Sequence, residues 1–308
     1  MEIVQDRAVL VNTRKPHLIT EVVEKATVVK QVALPNGQVG ATVAVPWNLR
    51  YTKILHNLGF KKVPSPITRK YVWPGMFKPF DHQISTAAFL TLNPRAFCLN
   101  DMGTGKTMSV IWASDYLMKM GVIKRVLIVA PLSILDTAWR ADLFKTAMHR
   151  RVDIAHGHVN KRRAVIASDA EYVIINYDGI EIVHKDLLEG KFDLIVCDEA
   201  TALKNHQTKR WKLMNQLLRP DTWLWLLTGT PAAQSPDEAY GLAKLVNPQS
   251  VPRFYGTFRD QVMLKVSQFR YVPRPEAKDI VHKVLQPAIR YTKDECLDLP
   301  EMTYVNRE

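Results

Sequence analysis

Three short strings, NDMGTGKT (Asn100 to Thr107), CDEAT (Cys197 to Thr201) and LTGTP (Leu227 to Pro231), constrain this chain more than any other feature. Each follows a brief apolar run: FCL at Phe97 to Leu99, DLIV at Asp193 to Val196 and WLWLL at Trp223 to Leu227. Short apolar runs bounded by turn residues read as strands buried on both faces, the pattern of a parallel sheet. The fold class expected is therefore α/β, with the three strings at strand ends.

The first string explains its own residues. Gly103 and Gly105 let the backbone turn tightly and aim N–H groups at phosphate oxygens, because no Cβ obstructs the approach. With Thr104 between them they form a phosphate cradle. Lys106 can reach the β and γ phosphates, and Thr107 offers a hydroxyl to Mg²⁺ at the start of a helix whose N-terminus favours anions. That helix is visible in the sequence: Val110, Ala113, Leu117 and Met120 fall on one face, and Gly121 is placed to cap it. The full pattern GxxxxGK[ST] is not met, since Asn100 occupies the first glycine position. Asp198 and Glu199 end the second run, where one carboxylate would hold Mg²⁺ and the other would orient and deprotonate an attacking water. The same pair also suits a plain helix N-terminus. Following a phosphate loop, it points to a nucleoside triphosphate with Mg²⁺.

The set resembles the first motor lobe of superfamily-two helicases, specifically the Swi/Snf-type DNA translocases. Their first motif reads close to DEMGLGKT, their second DEAH followed by a Lys-Asn pair, and their third LTGTP; this chain has NDMGTGKT, DEATALKN (Asp198 to Asn205) and LTGTP. KPFDHQ (Lys78 to Gln83) is similar to the family's upstream glutamine motif, which implies that Gln83 reads adenine. VLIVAPLSILDTAW (Val126 to Trp139) and VIINYD (Val173 to Asp178) resemble the segments that meet the nucleic-acid backbone, which implies contacts at Ser133 and Tyr177. LQPAIRYTKDECLDLP (Leu285 to Pro300) resembles the stretch leading from the first lobe toward the second. The resemblance covers roughly residues 76 to 308 and implies a RecA-like lobe that binds ATP and Mg²⁺. It also implies Lys106, Asp198 and Glu199 as catalytic residues, and Thr201, Thr228 and Thr230 as coupling residues. Two departures stand out: Thr201 replaces the family's His, and Tyr291 interrupts a paired-arginine string after Arg290. These motors place ATP between two lobes, and only eight residues follow Pro300, so a second RecA-like lobe is expected in a longer chain. The short linkers suggest a bacterial or bacteriophage source.

A formal charge of +12 over 308 residues favours a polyanionic partner, double-stranded DNA first with RNA still open. Basic pairs and triplets lie at Lys61-Lys62, Arg69-Lys70, Lys124-Arg125, Arg150-Arg151 and Lys161-Arg162-Arg163. Cys98, Cys197 and Cys296 are too widely spaced for a zinc site and read as reduced thiols; His156 and His158 flank Gly157 without a metal-ligand pattern. No apolar run spans a membrane and no signal layout opens the chain, so a soluble, cytoplasmic protein is expected.

Residues 1–75 read as a small β-rich domain and connector. LITEVV, ATVVKQVAL and QVGATVAV are Val-rich, Pro35-Asn36-Gly37 marks a hairpin turn, and WNLRYTKILHNLG reads as a short helix stopped by Gly59. This domain either guides nucleic acid or caps the ATPase lobe. Residues 76–250 form the lobe and 251–308 a helical extension and linker. The aromatics Phe254, Tyr255, Phe258, Phe269 and Tyr271 either stack on bases or pack the extension down. A rival to the motor is an ATP- and DNA-binding switch or recruitment module. A P-loop kinase would leave LTGTP unexplained.

Overall fold

Apolar residues alternate along the first strands, and that period of two decides which face turns inward. Four antiparallel strands, β1 (Glu2–Val4), β2 (Ala8–Thr13), β3 (Thr27–Ala33) and β4 (Val39–Pro46), lie in the order β1-β2-β4-β3. Val9 and Val11 of β2 and Val43 and Val45 of β4 face a small core with Trp47 and Leu55. LITEVV is not a strand: it holds the helical turn α1 (His17–Thr20), because Ile19 and Val23, four apart, both drop into that core. Helix α2 (Leu49–Asn57) follows as read, with Gly59 at φ +95 just beyond it. The structure, a computed structural model, describes residues 1–33, 39–268 and 270–296. The expected turn at Pro35-Asn36-Gly37, Phe269 and the stretch from Leu297 onward lie outside the described residues; β3 and β4 pair antiparallel.

A one-turn helix α3 (Ile67–Lys70) leads into α4 (Asp81–Leu92) and the main sheet. Its strands are β5 (Arg95–Cys98), β6 (Val126–Ala130), β7 (Val152–Ile154), β8 (Tyr172–Asn176), β9 (Leu194–Asp198), β10 (Trp223–Leu227) and β13 (Ala288–Ile289). They run parallel in the order β13-β5-β10-β9-β6-β8-β7. Helices cover both faces: α5 (Lys106–Lys119) and α6 (Ala141–Thr146) lie with α4 on one side. On the other lie α7 (Val159–Ala167), α8 (Tyr177–Ile182), α9 (His184–Glu189), α10 (Lys209–Leu217) and α11 (Ala239–Val246). Along β10, Leu224 and Leu226 enter one core while Trp223, Trp225 and Leu227 enter the other, which is why the strand reads as an unbroken apolar run.

The tail is not purely helical. After α12 (Tyr255–Val262) comes the hairpin β11 (Met263–Lys265) and β12 (Tyr271–Pro273), then α13 (Ala277–Val284). The chain next returns to the main sheet as edge strand β13 beside β5, before α14 (Lys293–Cys296). Phe258 is fully buried and Phe254 is exposed, so these aromatics divide between packing and surface.

The N-terminal unit is seated on the lobe by specific contacts. The Lys53 ammonium lies 4.1 Å from the centre of the Trp223 ring, and burial pushes its pKa down to about 8. The Tyr71 hydroxyl donates to Asp115 Oδ2 at 2.5 Å on α5, and the Trp112 indole N–H donates to Pro74 O at 3.1 Å. Asp115 also accepts from Arg150 Nε at 2.6 Å and pairs with His149 at 2.9 Å.

Candidate nucleotide site

Three loops leave neighbouring strands β5, β9 and β10 at their C-terminal ends, where parallel-sheet proteins build ligand sites. The first wraps into α5. Gly105 sits at φ +74, in the left-handed region, and a Cβ there would fall 2.0 Å from Gln83 Nε2. Glycine thus suits the backbone conformation, and a larger residue would also have to displace the Gln83 amide. Gln83, nearly buried, accepts the Phe80 N–H at 3.0 Å and donates to Thr104 O at 3.4 Å; His82 Nε2 also lies 2.9 Å from Thr104 O. The Phe80 and His82 rings are parallel with centroids 5.7 Å apart, and Tyr291 tilts against His82 at 6.0 Å. Gln83 is therefore part of the loop's scaffold beside an aromatic shelf.

Lys106 donates to Asn100 O at 2.8 Å and to Asp101 O at 3.0 Å, which curls the loop around its ammonium. Met102 and Gly103 are exposed on the loop's crest, and Thr107 is half-buried in the first turn of α5. Asn100, buried where the full pattern has glycine, donates to Thr86 Oγ1 at 2.9 Å and accepts the Tyr291 N–H at 3.0 Å. Its amide therefore ties α4 and the tail to the loop.

At the end of β9, Asp198 Oδ2 accepts the Trp139 indole N–H at 2.9 Å and Oδ1 accepts the Glu199 N–H at 3.0 Å. The Tyr177 hydroxyl donates to Asp198 O at 2.7 Å. Burial raises the Asp198 carboxyl above the usual carboxylate range, against the pull of those two hydrogen bonds and the Lys106 charge. Burial and the neighbouring Asp198 raise Glu199 as well, again opposed by Lys106. Glu199 adopts φ +49, an uncommon left-handed conformation for a non-glycine residue, which turns the chain sharply as it leaves the strand. Among the described residues no three His, Cys, Asp or Glu side chains gather as a self-sufficient metal centre. The oxygen donors present, the Asp198 carboxylate and the Thr107 hydroxyl, suit Mg²⁺, which takes few protein ligands and completes its shell with phosphate and water.

The third loop touches the first. Thr228 is buried, its N–H donates to Cys98 O at 3.1 Å, and its hydroxyl oxygen accepts the Thr230 N–H at 3.2 Å. A Cβ on Gly229 would lie 3.6 Å from Asn100 O. Thr201 lies in a one-turn 3₁₀ segment, Ala200–Leu203, beside a surface cavity of about 430 Å³ that Leu132, Glu199 and Arg210 also line. A larger cavity of about 630 Å³, lined by Phe144, Met148 and neighbours, includes none of the residues of the three strand-end loops.

Residues 82–305 match the protein-family model described as the SNF2-related domain. The chain belongs to the SNF2-related domain family. Among curated relatives, the uncharacterized ATP-dependent helicase YqhH of Bacillus subtilis is 25% identical over 214 residues, 68% of this chain and 36% of the relative. The SWI/SNF-related matrix-associated actin-dependent regulator of chromatin subfamily A-like protein 1 of Xenopus tropicalis is 32% identical over 161 residues, 52% of this chain and 16% of the relative. The SWI2/SNF2 ATPase core of Sulfolobus solfataricus in complex with dsDNA superposes with a TM-score of 0.61 at 23% identity, covering 73% of this chain and 48% of that one. The chain thus spans about a third or less of the length of these curated relatives.

In this SNF2-related domain the structure brings Gln83, Gly103, Thr104, Gly105, Lys106, Thr107, Asp198, Glu199, Thr228 and Thr230 to one end of the sheet. Ser133 is exposed in the turn after β6, whereas Tyr177 is buried with its hydroxyl committed to Asp198. Sequence reasoning missed Trp139 as the partner of Asp198; it appeared only as the last letter of VLIVAPLSILDTAW, and its full burial is a tertiary fact. Several basic clusters also turn out to be structural. Arg125 donates to four backbone carbonyls, Arg150 pairs with Asp115 and Glu171, and Arg162 is buried against Ala155 O, Gly157 O and Asn176. No described helix is long and apolar enough to cross a membrane.

Proposed function

We propose that the chain is the ATP-binding lobe of a DNA-dependent ATPase that translocates on, or remodels, double-stranded DNA. The observation that carries it is the convergence of Lys106, the Asp198–Glu199 pair and the Thr228–Thr230 loop at adjacent strand ends, close enough for Lys106 to act electrostatically on both carboxyls. In this reading the cradle Gly103 to Thr107 holds the phosphates and Gln83, beside the Phe80 and His82 rings, reads adenine. Thr107 and Asp198 hold Mg²⁺, which neutralises phosphate charge when bound. Glu199 orients the attacking water and accepts its proton; its raised pKa brings it closer to the working range of a general base. Thr228 and Thr230, packed on the phosphate loop, pass the occupancy of the site onward, with Thr201 in the position of the family's histidine. The DNA backbone would pass the sheet end at Ser133 and the turn held by Tyr177, as duplex DNA accompanies the Sulfolobus core.

A facing RecA-like lobe that places a cation at the open γ-phosphate side completes such a motor, since developing charge is otherwise left to water. These residues alone are then expected to hydrolyse ATP negligibly. Calorimetric titration with ADP and Mg²⁺ tests the core of the reading. Lys106→Ala should lose about 1.5–3 kcal/mol, the scale of a hydrogen bond to a charged group. Equal affinity in the two proteins would remove the phosphate-loop assignment. Duplex DNA should bind with an affinity that falls steeply with added salt.

A further inference from the structure

Asn100 and Tyr291, two of the three residues that depart from the expected patterns, are bonded to each other. Asn100 Oδ1 accepts the Tyr291 N–H at 3.0 Å, and the Asp101 N–H donates to Tyr291 O at 2.9 Å. Asp101 Oδ2 accepts the Lys293 N–H at 3.2 Å, and Arg290 lies 4.0 Å from Asp101 Oδ1. Residues 290–293, on leaving edge strand β13, therefore run along the phosphate loop as a strap held by three backbone-level hydrogen bonds.

The strap delivers a side chain to the loop's crest. A Cβ on Gly103 would come within 3.7 Å of Lys293 Cε and, among the described residues, within 4 Å of no other atom outside its chain neighbours. The ammonium is one bond beyond Cε. It thus lies within reach of the Gly103 backbone, on a stem long enough to adjust. Lys106 is gripped inside the loop by the Asn100 and Asp101 carbonyls, while Lys293 is exposed above it. A polyphosphate in the cradle would meet one cation from each side.

We propose that Lys293 is a second phosphate ligand of the nucleotide site, carried to it by the strap that Asn100 and Asp101 fasten. This rests on the nucleotide reading above. The ligand class is a nucleoside polyphosphate, and the added contact is a charge-assisted hydrogen bond formed only when phosphate is present.

The test is a fluorescence titration of the 308-residue chain with N-methylanthraniloyl-ADP and Mg²⁺. It is run at about 0.15 M salt, where charges more than about 8 Å apart are largely screened. Lys293→Ala is expected to bind about tenfold more weakly, the low end for such a bond. Lys293→Arg should stay within about threefold of wild type, and Lys293→Glu should be weaker than the alanine variant. Because Lys293 is exposed, all three should melt with wild type in the absence of nucleotide. Affinity of Lys293→Ala within about twofold of wild type, or equal losses in the arginine and glutamate variants, would overturn the proposal. Failure of the wild-type chain itself to bind would instead remove the nucleotide reading.

Discussion

Trp139→Phe isolates one hydrogen bond in the candidate Mg²⁺ site. The indole N–H donates to Asp198 Oδ2 at 2.9 Å inside the lobe, and the phenyl ring keeps most of the apolar bulk while deleting the donor. Asp198 must be ionised to hold Mg²⁺, but burial already raises its carboxyl and the Trp139 bond opposes that rise. Removing a hydrogen bond to a buried charged group costs about 1.5–3 kcal/mol, which corresponds to about a 10- to 150-fold change in an equilibrium constant. That loss should appear in Mg²⁺-dependent nucleotide affinity. At neutral pH the variant is expected to bind Mg²⁺·ADP at least about tenfold more weakly than wild type, while in EDTA the two bind ADP alike. Protons and Mg²⁺ compete for the same oxygens, so the midpoint at which acid abolishes the Mg²⁺ effect should move to higher pH in the variant. Calorimetry across a pH series, with and without Mg²⁺, gives both readouts. An equal loss in Mg²⁺ and in EDTA would show that the indole serves packing alone, and no loss in either would refute the reasoning.

Tyr71→Phe removes the hydroxyl that donates to buried Asp115 and joins the N-terminal unit to the phosphate-loop helix. Burial works to raise the Asp115 carboxyl, but Tyr71, Arg150 and His149 overcome it and hold it below the usual range. A depressed carboxylate contributes stability that is present above its unfolded pKa and lost as pH falls through the folded value. The variant should therefore be less stable by about 1.5–3 kcal/mol at pH 7, a deficit that shrinks on acidification below the ordinary carboxylate range. Thermal denaturation at the two pH values checks this, and a deficit independent of pH would contradict it. Gly105→Ala forces an L-residue into the left-handed region, at about 1–2 kcal/mol, and drives its Cβ into Gln83. It should cost at least about tenfold in nucleotide affinity, read by the same calorimetry.

The parallel sheet and the strand-end loops of the candidate nucleotide site were legible because each strand carries its instruction locally. WLWLL is apolar at every position since β10 is covered on both faces, and NDMGTGKT names its turn through glycines in a conformation that L side chains rarely adopt. What the sequence concealed depends on contacts between distant segments. LITEVV has strand composition, yet Ile19 and Val23 are drawn into the N-terminal core from a helical turn, so tertiary burial outweighs local propensity. Ala288–Ile289 is too short to announce a strand and becomes one only because β5 offers an open edge. That strand positions Tyr291 and Lys293 on a loop nearly two hundred residues earlier, where Asn100 and Asp101 fasten them. Local chemistry wrote the glycine-rich loop, the acidic pair and the threonine loop into the chain. Only the folded sheet, by bringing Trp139 to Asp198 and the tail to Asn100, decided which other side chains support them.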